Sequence, residues 1–80
     1  MKKIIIEDKK TDTINIKDVS RYAPIFIKRG GKFVGTVIPK NGGWCTYLGE
    51  MFPGTWYKDK INLIEWEMAR HGYEFFVEEN

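Results

Sequence analysis

The sequence has one cysteine, Cys45, and one histidine, His71. A lone cysteine forms no intramolecular disulfide, and one cysteine with one histidine cannot build a Cys/His zinc site within a chain, so neither staple supports the fold. Both scarcities fit a reducing compartment, and the cytoplasm is the expected location. Long apolar runs are missing as well. The basic start Met1-Lys2-Lys3 leads into only three isoleucines before Glu7 and Asp8, too few for a signal peptide, and no stretch approaches the length that spans a bilayer. No membrane, metal or cofactor is expected as a partner. Only three prolines occur, with no Ser/Gly/Pro linker, internal repeat or low-complexity tract, so residues 1–80 read as one continuous domain.

What is present is the composition of a folded chain: 42% hydrophobic, 30% charged and 15% aromatic. The length leaves room for one sheet and one good helix around a single core. Net charge is +2, but its distribution is uneven. Residues 1–40 hold ten Lys/Arg against four Asp/Glu, net +6, whereas residues 41–80 hold three against seven, net −4. The molecule has a positive and a negative side if folding keeps the halves apart, and a sheet that interleaves them cancels much of the difference.

Local patterns predict an α+β fold. Its small antiparallel sheet is a three-stranded meander plus N- and C-terminal strands, packed against one helix in the C-terminal half. Lys3–Glu7, with three β-branched residues in a row, suits a strand buried on both faces. Thr13–Lys17 alternates Ile14 and Ile16 with polar neighbours, a second short strand able to pair with the first. Residues 18–22 make a single turn before Pro24. From Ile25, the runs IFIK, FVGTVI and WCTYLG are separated by Gly30-Gly31 and Gly42-Gly43, and such pairs supply the positive φ of tight hairpins. Residues 50–56 form an irregular aromatic connection turning at Pro53-Gly54. A helix then runs from Lys58 to His71, with Asp59 near its start and Gly72 as its stop. Tyr73–Glu78 returns as a strand.

On that helix, Tyr57, Ile61, Ile64 and Met68 form the stripe expected to face the sheet. Leu63 and Trp66 then fall on the outer side beside Arg70. A cover of neighbouring chain would bury them. Left open, they form the apolar patch with a central Trp and a flanking Arg that protein-binding surfaces use. The preferred expectation is therefore a non-enzymatic protein-interaction module that engages another protein, or a second copy of itself, through Leu63, Trp66 and Arg70.

The alternative is a small nucleic-acid-binding protein. Lys28, Arg29 and Lys32 crowd the first hairpin turn and Lys40 lies at the next, with Trp44 and Tyr47 on the following strand, and cations interleaved with aromatics clamp phosphates and stack bases. Lysines at exposed turns are also ordinary guards against sheet-edge association. The run FVGTVI lacks the spaced aromatics of an RNA-recognition strand. The dense set Trp44, Tyr47, Phe52, Trp56 and Tyr57 reads as core, or as a shallow pocket rimmed by residues 51–55.

No catalytic residues are nominated. Glu65 and Glu67 are too close in a helix to share a face, the glycine pairs lack the context of a phosphate loop, and His71 suits a helix C-terminus. Cys45, on a strand, reads as a small apolar residue. The Lys/Ile/Asn-leaning composition and small size resemble those of short accessory proteins of low-GC bacteria and their phages and mobile elements, a likeness that carries no functional residues.

Overall fold

A computed structural model describes residues 1–7, 11–49 and 54–78. Its centre is the meander. Strands β3 (Ile25–Arg29) and β4 (Lys32–Lys40) meet at Gly30-Gly31, with φ of 59° and 79°. Strands β4 and β5 (Gly43–Tyr47) meet at Asn41-Gly42, with φ of 49° and 75°. Both are two-residue hairpin loops with two left-handed residues, the form whose twist matches the flanking strands. The second turn is thus Asn-Gly, and Gly43, expected in the turn, opens β5 and pairs with Lys40.

Around this centre stand β1 (Lys2–Ile5), β2 (Thr13–Asn15), β6 (Trp56–Tyr57) and β7 (Glu74–Val77). The strand order is β2-β1-β7-β3-β4-β5-β6. The protein is an α+β fold, a seven-stranded sheet packed against one helix, and the sheet is larger than its sequence suggests. It is also mixed, because β1 and β2 run parallel, with Ile4 opposite Ile14. The side chain of Asn15 secures this end: Nδ2 donates to the Glu7 carbonyl and Oδ1 accepts from the Lys17 amide, each at 2.9 Å. That second bond caps a 3-10 helix, Ile16–Arg21, where a single turn was expected. The three isoleucines are not buried on both faces: Ile4 is fully buried, Ile5 partly, and Ile6 lies exposed beyond the strand.

Helix α1 spans Lys60–His71. Asp59 caps it in extended conformation, its Oδ1 accepting from the Asn62 amide at 2.8 Å, and Gly72 ends it at φ 66° with its N–H donated to the Met68 carbonyl. It packs on the 3-10 helix, β5 and β6. Because the 3-10 helix flanks it, the buried stripe is rotated from the expected one. Leu63, Ile64 and Glu67 are buried, and Ile61 and Met68 lie at the margins. Leu63 joins Ile16 and Val19 in the core with Ile4, Ile14, Ile25, Ile27, Val37, Phe75 and Val77.

Candidate functional site

Side chains alternate along a strand and residues paired directly across a ladder share a face, so the register sorts the sheet into two sides. Ile25, Ile27, Val37, Thr46, Phe75 and Val77 face α1 and are buried. The opposite face follows from the ladder in which Lys3 pairs with Phe76, Phe76 with Phe26, Phe26 with Thr36, and Thr36 with Tyr47. Beside that row, Lys28 pairs with Glu74 and Phe33, and Cys45 pairs with Ile38 and Trp56. No described helix covers this side. Phe33, Trp56 and Tyr47 on it are 55%, 46% and 43% exposed, and Phe26, Phe76 and Ile38 are half-buried.

Trp56, Phe26, Phe33 and Phe76 each make contacts that hold their rings. Trp56 donates its indole Nε1 to the Lys40 carbonyl at 2.7 Å and lies so close over Gly43 that a Cβ there would meet the ring. Phe26 and Phe33 meet edge to face with centroids 6.0 Å apart. Lys28 spans two rings, with Nζ 4.7 Å from the centroids of both Phe33 and Phe76. Val34, the extra residue where the β3–β4 register shifts, returns Phe33 to the same side as Lys28. Lys3 and Glu74 pair at 2.9 Å. Residues 25–49 contain Lys28, Arg29, Lys32 and Lys40 and not one Asp or Glu. The open face is therefore aromatic, and the cations on its central strands face no carboxylate from the meander itself.

The four basic residues named from sequence do not form one cluster. Lys28, Arg29 and Lys32 gather at the β3–β4 turn, and Lys40 lies at the far end of nine-residue β4, roughly 27 Å along the strand. Of these, Lys28 and Lys40 alternate onto the open face, while Arg29 turns toward the other side, its Cζ 5.9 Å from the Tyr73 ring centroid. The outer-helix trio is divided too. Leu63 is fully buried and cannot belong to a surface patch; Trp66 is 57% exposed, with the Arg70 guanidinium 5.9 Å from its ring.

The aromatic set of residues 44–57 is split between faces. Tyr47 and Trp56 lie on the open side, Trp44 and Tyr57 on the helix side, and Phe52, with residues 51–53 of the suggested rim, lies outside the described residues. Trp44 instead lines a separate cavity of about 370 Å³ with Tyr22, Pro24, Pro39 and Lys60. Lys60 stands 4.4 Å from the Trp44 ring centroid and donates to the Tyr22 carbonyl at 3.3 Å, and burial lowers its pKa.

Buried Glu67 accepts from the Tyr57 hydroxyl at 2.8 Å, and His71 Nε2 lies 4.0 Å from its other oxygen. Burial raises the Tyr57 pKa, and the bond and charge of Glu67 raise it further. Cys45 is buried in β5. Among the described residues no group of three His, Cys, Asp or Glu could hold a metal, and no helix is long and apolar enough to cross a membrane.

Phe26, Phe33 and Phe76 were not singled out from sequence. The signal was present in IFIK, where Phe26 and Lys28 alternate with Ile25 and Ile27 and so must leave on the side away from the helix. In comparisons with known proteins, no family model, curated protein or solved structure matches the chain.

Proposed function

We propose that the chain is a non-enzymatic nucleic-acid-binding module whose contact surface is the open face of its sheet. The observation that carries this reading is the coincidence of exposed aromatic rings with Lys28 and Lys40 on one uncovered face of an acid-free meander. Cations supply the salt-sensitive attraction to phosphate, and the rings supply area for base contact. Arg29 and Lys32 pair at the hairpin tip and alternate onto the other side of the sheet, so they add positive charge near this face without lying on it. The test is fluorescence anisotropy of labelled DNA and RNA oligonucleotides across a salt series. With Lys28 and Lys40 as the direct contacts, log affinity should fall against log salt with a slope of about −1.5 to −2. Lys28→Ala and Lys40→Ala should each make that slope shallower by about 0.7. No binding to any oligonucleotide at low salt removes the reading.

A second reading rests on a separate observation, the exposure of Trp66 under Arg70. It supports a protein-interaction module that docks through the outer helix face, without Leu63. Trp66→Ala would then abolish complex formation with a partner protein or a second copy while leaving nucleic-acid affinity unchanged.

A further inference from the structure

The three most exposed rings of the open face occupy three adjacent strands and step along them. Trp56 on β6 is opposite Cys45 on β5; Tyr47 lies two residues further along β5, opposite Thr36 on β4; Phe33 lies one bulged step further along β4, opposite Lys28. Each move is one strand across and one side-chain repeat along, bulged in the second case, close to the diagonal relation in which neighbouring residues lie about 7–8 Å apart. Lysines stand at both ends. Lys28 lies against Phe33, and Lys40 provides the carbonyl that fixes the Trp56 indole while its own side chain alternates onto the same face.

We infer that Phe33, Tyr47 and Trp56 form a diagonal track that binds single-stranded nucleic acid, one base stacked on each ring, with Lys28 and Lys40 meeting the phosphates that enter and leave. This rests on reading the face as a nucleic-acid surface. A spacing of about 7–8 Å is roughly twice the 3.4 Å rise of stacked bases in a duplex, so stacked bases cannot address all three rings, whereas a splayed single strand can. A duplex also keeps its base faces inside the stack and offers the sheet its backbone and groove edges, neither of which stacks on a ring. Stacking on aromatic rings is tolerant of sequence because every base has a π face. The track therefore selects strandedness over sequence. The charge on the face agrees: Glu74, a carboxylate on it, is occupied by Lys3.

The experiment compares fluorescein-labelled oligothymidylate and oligouridylate of about six nucleotides with a blunt DNA duplex, using the full chain and the variants Phe33→Leu, Tyr47→Leu and Lys28→Ala. Leucine keeps the apolar character of these exposed positions and removes the π face, and circular dichroism verifies the fold. The inference expects the single strands to bind at least tenfold more tightly than the duplex, with each leucine variant losing about 5- to 100-fold. Equal affinity for duplex, unaffected leucine variants and weakening only by Lys28→Ala would overturn the track and leave the nucleic-acid reading standing. Absence of binding to every oligonucleotide would overturn both, as would a dimer in sedimentation that the leucine variants dissociate and that excludes nucleic acid.

Discussion

Tyr57 and Glu67 show how one side chain sets the terms for another. Glu67 occupies the buried stripe of α1, where a carboxylate is costly unless it is hydrogen-bonded, and the Tyr57 hydroxyl supplies that bond from β6. Tyr57→Phe should cost about 1–3 kcal/mol in denaturant unfolding, because it strips a donor from a buried acceptor. The pH dependence follows from the raised Tyr57 pKa. Its contribution is complete below the unfolded value of 10.0 and is lost as pH rises through the higher folded value. Lys60 acts in the opposite sense: its folded pKa is lowered, so the penalty on its charged form fades as pH rises. Alkaline unfolding of Tyr57→Phe beside the parent isolates the tyrosine, and the variant should lose stability less steeply above about pH 10. Gly43 is a second residue whose identity is imposed by a neighbour. Gly43→Ala pushes a methyl group into the Trp56 ring and should cost about 1–3 kcal/mol, with a changed Trp56 indole resonance as the local sign.

At the level of elements, the ends of the helix are the most legible feature of the sequence and its buried face is the least. Asp59 and Gly72 announced its ends, because capping is local chemistry within a few residues. Asp59→Ala should lower stability by about 1 kcal/mol in denaturant titration. Its buried stripe was not local. A lone helix on a sheet buries one stripe, but the 3-10 helix at Ile16–Arg21 adds a second contact and draws Leu63 inside, and nothing within residues 60–71 records that neighbour. Leu63→Ala should therefore destabilise by about 2–5 kcal/mol, whereas Trp66→Ala should leave unfolding within about 0.5 kcal/mol of the parent. The meander was legible for the same reason as the caps, since Gly30-Gly31 and Asn41-Gly42 encode their own turns. The parallel pairing of β2 with β1 was not, because three residues alternating Ile14 with polar neighbours fit either direction. The open face was faintly marked, because Phe26 goes out as an apolar residue beside the inward Ile25 and Ile27 and Lys28 alone distinguishes the outer side of β3.

Across the whole molecule, the strand order decides what becomes of the uneven charge. β7, from the acidic half, inserts between β1 and β3, and Lys3 with Glu74 records the cancellation there. No acidic strand enters between β3, β4 and β5, so the positive character persists where the rings of the open face lie. The three tryptophans sample three surfaces: Trp56 the open sheet face, Trp44 the cavity beside Lys60, and Trp66 the outer side of α1. A single amide-correlation NMR titration of labelled protein with oligothymidylate therefore reads all three through their indole N–H resonances. The account predicts that the Trp56 indole and the β4–β5 amides around Phe33 and Tyr47 shift progressively while the Trp66 indole stays fixed. Movement confined to Trp66 or Trp44, or no movement at all, would contradict it.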